Sequence, residues 1–132
     1  MIQVENPQPS DLALEDLARL QRSVQLDPYH VSMQEHFKLV EENKEQLFVF
    51  SWSGARVVIL TTLVGENLHV LHIGGNTLNE NNAQEIIRTL MLIAVDAGAS
   101  ALTASIVNPT LVPRLIAMGF SPIAVEMKLE LK

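Results

Sequence analysis

The 132-residue chain has no cysteine, one tryptophan, one tyrosine and four phenylalanines. Without cysteine there are no disulfides, no thiolate nucleophile and no cysteine metal site, which agrees with a reducing compartment. Few aromatics leave the core to aliphatic side chains, and with 48% apolar and 18% charged residues a packed globule is expected, not a disordered chain. Positive charge is scarce as well: nine Lys and Arg face fifteen Asp and Glu, a formal charge of -6. That balance, with no cluster of basic residues, argues against a nucleic-acid partner, whose phosphates are held largely by Lys and Arg. The longest apolar run, Leu90 to Val95, is far shorter than the roughly 20 residues a membrane helix needs. Met1 to Pro9 lacks the charged and apolar regions of a signal peptide. The expectation is a soluble, cytoplasmic protein without a membrane partner, forming one domain over residues 1–132.

Helix and strand periodicities alternate along the chain. Met1 to Glu5 reads as a short strand. Ser10 or Asp11 then offers an N-cap for a helix with Leu12, Leu14, Leu17, Leu20 and Val24 on its apolar face, and Asp27-Pro28 ends it. A second helix is expected over Ser32 to Asn43. From Gln46 the runs become β-branched and aromatic: Leu47 to Trp52, Arg56 to Val64 and Leu68 to Ile73, separated by Ser53-Gly54 and Gly65-Glu66-Asn67. These predict three antiparallel strands joined by hairpin turns. A polar loop, Gly74 to Asn82, leads to a helix over Ala83 to Ala97, a strand over Ala101 to Val107 and a helix beginning near Asn108-Pro109, which Pro113 should kink or delay. In the last segment Ile123, Val125, Met127, Leu129 and Leu131 alternate with Glu126, Lys128, Glu130 and Lys132, the period of a strand. Helix between strands implies a crossover and some parallel pairing.

The stretch Asn108-Pro-Thr-Leu-Val-Pro-Arg-Leu-Ile-Ala-Met-Gly-Phe120, with the helix and strand before it, resembles the C-terminal half of the GNAT superfamily of acetyl-CoA-dependent N-acetyltransferases. The order β-α-α-β-β-β-α-β-α-β matches that family over nearly the whole chain. The resemblance implies an α/β (α+β) fold with a mixed, mainly antiparallel central sheet and helices on both faces. The family usually adds one more strand, so either the sheet ends early or a partner subunit completes its edge. The same region is similar to small GNAT-like proteins of short-tailed bacteriophages, some of them virion-associated.

The resemblance also implies sites. In the family, the loop after the fourth strand holds the pyrophosphate of coenzyme A with backbone amides and a helix N-terminus. Here that loop falls at Leu78 to Ala83, and Ile73, Gly74, Leu78, Asn81, Asn82, Ala83 and Asn108 are the candidate cofactor residues. Only Ala83 fits the family pattern. Leu78 replaces a polar or basic residue, Asn81 replaces a glycine, and Glu80 and Glu85 bring negative charge toward a phosphate. Counting from Asn108, the usual tyrosine acid becomes Leu115, which has no proton to give.

His69 and His72 are the titratable pair nearest the expected cleft. Their odd spacing places them on opposite faces of an ideal strand. His72, closer to the cofactor loop, is the candidate base, with Asn108 as a second catalytic candidate; a purely structural histidine is the competing reading. His30 and His36 could meet across the first turn of the second helix, but no third ligand is evident, so no metal is expected. Glu35, Glu41 and Glu42 read either as an attraction for a basic substrate or as a solvated helix face. Two functions follow: an N-acetyltransferase taking acetyl-CoA and an amine, or a non-catalytic fold that has lost its cofactor and binds a protein partner or a second copy of itself.

Overall fold

The computed structural model describes residues 2–29, 31–52, 54–75, 80–106 and 109–131. Its centre is a five-stranded sheet in the order β1-β2-β3-β4-β5. The strands are β1 (Gln3–Glu5), β2 (Glu45–Trp52), β3 (Ala55–Val64), β4 (Asn67–Gly75) and β5 (Ala101–Ala104). The first three contacts are antiparallel, and β5 runs parallel to β4. The parallel pairing follows from the intervening helix α3 (Glu80–Asp96), which carries the chain back along the sheet. Gly65 turns the β3–β4 hairpin at φ +59, a left-handed conformation that glycine adopts without steric cost.

Apolar residues divide between the two faces of the sheet. On one, Leu20 and Val24 of α1 (Leu14–Gln25) and Val40 of α2 (Met33–Glu41) pack against Leu47, Val49, Val58 and Leu60. On the other, Ile86 and Leu90 of α3 meet Phe48, Phe50, Val57, Ile59 and Val70. The helices therefore lie on both faces, as expected. Leu14 departs from the expected stripe and is 83% exposed. Counting back from Val24 and Leu20 by a helical turn reaches Asp16, which is buried, so the stripe passes Leu14 by.

Two further expectations change. The helix expected from Ala83 begins three residues earlier, at Glu80, so Asn81 and Asn82 are its second and third residues and not part of the loop before it. The alternating segment at the C-terminus forms no strand: residues 121–131 have no ladder partner among the described residues. Its apolar side chains are exposed throughout, from Ile123 at 80% to Met127 at 92%. Alternation specifies which way side chains would point in a sheet, but a strand also needs an edge to pair with. Near Pro113 the chain takes a 3-10 turn, Pro109–Leu111, before the short helix α4 (Val112–Ala117). That is the delayed start the second proline predicts.

Candidate functional site

The first place where chemistry gathers is the far half of β4. Its pairing with β5 runs from Asn67↔Ala101 to Val70↔Ala104. β4 continues for another five residues to Gly75, paired on its β3 side alone among the described residues. Among the described residues no strand lies against the other edge of this half, and an edge without a neighbouring strand leaves amides and carbonyls unused. Ile73 lies on this edge segment and is 44% exposed.

Gly74 sits beside Ile73 for a steric reason. A Cβ there would stand 2.3 Å from the Arg19 carbonyl oxygen and 2.8 Å from the Leu20 nitrogen. The α1 backbone thus lies directly on β4, and only glycine allows that approach. Asn81 and Asn82 lie in the first turn of α3, at the helix start. Ala83 follows in the same helix. Leu78 and Asn108 lie outside the described residues. Leu115 is half-buried in α4. Tyr29 lies between α1 and α2, where its hydroxyl donates to Glu126 at 2.5 Å. That hydrogen bond to a carboxylate raises the phenol's pKa.

A β-bulge shapes the second place. Leu60 is opposite His72, whereas Thr61 is opposite Val70, so Leu71 is the extra residue on β4. The alternation of side chains shifts by one position there. His69 pairs with Thr62 and His72 with Leu60. Thr62 and Leu60 are two residues apart on one strand, so both histidines face α1 and α2. The opposite-face placement expected from spacing is therefore corrected: an ideal strand has no extra residue, and this one does.

The two histidines have different surroundings. The His69 ring nitrogens lie 2.7 Å from Thr103 Oγ1 and 2.9 Å from Ser105 Oγ, which ties β4 to β5. Burial pushes its pKa down. His72 is 9% exposed. Its Nδ1 lies 2.9 Å from Ser23 Oγ and its Nε2 lies 3.8 Å from Asp27 Oδ2. Burial, and then the neighbouring His36, pushes its pKa down as well. The rings of His36 and His72 meet edge to face, with centroids 5.1 Å apart. His36 Nδ1 lies 2.8 Å from the carboxylate of Glu45, and its Nε2 is buried without a hydrogen-bond partner among the described residues.

This cluster joins α1, the turn after it, α2, β2 and β4. Glu45 had no sequence signal, being a charged residue just ahead of the apolar run that marks β2. His36 was expected beside His30, which lies outside the described residues; it meets His72 and Glu45 instead. Glu35, exposed on α2, takes part in capping that helix: its amide donates to Ser32 Oγ at 3.1 Å.

No protein family profile and no curated protein sequence matches the chain. Solved structures do. Glucosamine-6-phosphate N-acetyltransferase from Arabidopsis thaliana is 10% identical, with a TM-score of 0.55 over 100% of this chain and 99% of its own. An aminoglycoside N-acetyltransferase in complex with CoA is 14% identical, with a TM-score of 0.64 over 100% of this chain and 95% of its own. An acetyltransferase from Trypanosoma brucei is 11% identical, with a TM-score of 0.58 over 99% of this chain and 100% of its own. At such identities the likeness shows the fold: this chain has the fold of the GNAT acetyltransferases.

Proposed function

We propose that this protein binds an acyl-CoA along the unpaired edge of β4 and transfers the acyl group to an amine. The observation that carries this reading is the parting of β4 from β5 after Val70, beside the first turn of α3. The free strand edge suits the amides of a pantetheine arm, because both present peptide-like donors and acceptors. The helix start suits the pyrophosphate. Ile73, Gly74, Asn81, Asn82 and Ala83 belong to this reading by position, with Leu78 and Asn108 as sequence candidates. Glu80 and Glu85 weaken phosphate binding, so affinity below that of a glycine-rich loop is expected.

In the reaction, the amine lone pair attacks the thioester carbon, a C–N bond forms and the C–S bond breaks. The sulfur leaves as thiolate, and the proton shed by the nitrogen passes to solvent. Leu115 supplies no acid, so rate would come from positioning, which by itself can lower a barrier greatly. His72, the sequence candidate for the base, is enclosed by Ser23 and Asp27. An amine that arrives deprotonated needs no base at that position.

Titration calorimetry with acetyl-CoA tests the reading, with desulfo-CoA and unrelated nucleotides as controls. Binding near micromolar strength, about -8 kcal/mol, supports it and calls for a screen of amines. No heat and no thermal stabilisation at millimolar ligand would sink it.

A second reading has its own observation. The apolar side chains of Ile123, Val125, Met127, Leu129 and Leu131 are 80% to 92% exposed in a row, an arrangement favouring a protein partner or a second copy. Under this reading the fold is non-catalytic, with a virion as one setting and the cytoplasm as the other. A monomer by light scattering, unchanged when Met127 and Leu129 become lysine, would remove the homodimer form of it.

A further inference from the structure

We infer that Asp27, His36 and His72 form a binding site for a divalent transition-metal ion, with Zn2+ as the best-matched cation. One ligand atom from each lies within 4.8 Å of the other two. The proposal does not depend on acyl-CoA binding.

The chemistry follows from where the protons must be. Glu45 presents a carboxylate to His36 Nδ1 at 2.8 Å. A carboxylate accepts and does not donate, so Nδ1 carries the proton and Nε2 of the neutral ring keeps its lone pair. That Nε2 is buried and has no hydrogen-bond partner among the described residues. His72 has its Nδ1 against Ser23 Oγ at 2.9 Å, a hydroxyl able to accept or donate, and its Nε2 turned toward Asp27 Oδ2 at 3.8 Å. That separation is too long for a hydrogen bond. The buried His36 Nε2 therefore keeps its lone pair without a donor, and His72 Nε2 presents a second one in the tautomer that donates Nδ1–H to Ser23 Oγ, beside an Asp27 carboxylate whose Oδ1 accepts from the Tyr29 amide at 2.9 Å. Buried lone pairs without a donor are costly, and a cation removes the cost.

The outer contacts are those that metal-binding histidines require. Each ring has its Nδ1 held by a second residue: the Glu45 carboxylate sets the tautomer of His36, and Ser23 Oγ, which can accept from Nδ1, orients the ring of His72. Two imidazoles and one carboxylate suit Zn2+, leaving a fourth position for water or another ligand. Tetrahedral ligands at about 2.1 Å from zinc stand about 3.4 Å apart. The Asp27–His72 separation of 3.8 Å is already close to that, and binding requires the widest, up to 4.8 Å, to shorten. Asp27, whose side chain is 11% exposed, gives the ion its way in.

The test uses untagged protein freed of metal by chelator dialysis. Calorimetry with ZnCl2 is expected to give one ion per chain with a dissociation constant below about 10 µM, under -7 kcal/mol, and a higher melting temperature. Co2+ should give the intense visible bands of a tetrahedral site. Asp27→Asn and His72→Gln should weaken binding at least tenfold, and Glu45→Gln, which touches no ion, by about 10- to 100-fold. Circular dichroism of each metal-free variant separates lost binding from lost folding. If wild-type protein binds no Zn2+ at about 100 µM, or if folded Asp27→Asn and Glu45→Gln variants bind it unchanged, the proposal is wrong.

Discussion

Replacing Asp16 with asparagine should destabilise the fold by about 2–3 kcal/mol, and the structure shows why. The carboxylate is fully buried on α1. It accepts from Arg56 Nη2 at 2.7 Å and Nε at 3.2 Å, and from Arg19 Nη1 at 2.9 Å. Breaking a fully buried ion pair costs roughly 3–5 kcal/mol, whereas an exposed pair is worth about 0–1 kcal/mol. This one lies between, because the arginine side chains keep 38% and 17% of their exposure and can turn back to water. Asparagine keeps the shape but loses the charge, and its NH2 group has no acceptor in a guanidinium.

Urea unfolding of both proteins at pH 7 measures the loss, and a double-mutant cycle with Arg56→Met isolates the coupling. The acid side gives an independent check. The Arg56 hydrogen bonds hold the Asp16 carboxyl below its ordinary value of 3.8. A depressed folded-state pKa contributes stability that is fully present above the unfolded value and is lost as pH falls through the folded value. The gap between wild type and variant should therefore stay constant from neutrality to about pH 4 and close below it. A loss under about 0.5 kcal/mol, the scatter of ordinary surface changes, or a gap that widens in acid, would refute a stabilising role for this ion pair between α1 and β3.

Gly74→Ala should cost at least about 1–3 kcal/mol, because its Cβ meets the α1 backbone and not a yielding side chain; urea midpoints check it, with Gly54→Ala judged apart because its φ is +76. His69 is pushed down in pKa by burial, so the unfolded chain binds more protons there, and stability should fall as pH drops below 6.5. Melting temperatures between pH 7 and 5 should show a shallower slope for His69→Gln, and an unchanged slope counts against the buried, neutral ring. Ser32→Ala removes the acceptor for the Glu35 amide at the start of α2 and should cost about 1 kcal/mol in the same unfolding assay.

What the sequence disclosed and what it hid divide along a physical line. Periodicity placed the β2, β3 and β4 strands, the helices on either side of them and the glycine turn at Gly65, since these depend on neighbours within a few residues. It missed the extra residue at Leu71 because a bulge changes register without changing composition. That single residue moves His72 to the face of His69 and brings it against His36, 36 positions earlier in the chain. Asp27, Glu45 and Ser23 join it from three further elements, and no short spacing could have announced them. The C-terminal alternation failed in the opposite way. Ile123 to Leu131 has the alternation of a strand, but its large apolar side chains are exposed and it has no ladder partner among the described residues. A partner or a second copy that supplied a pairing strand would bury those side chains while leaving the β4 edge untouched. The acyl-CoA binding and the association proposed above are therefore separable, and a variant that abolishes one without touching the other would tell the two proposals apart.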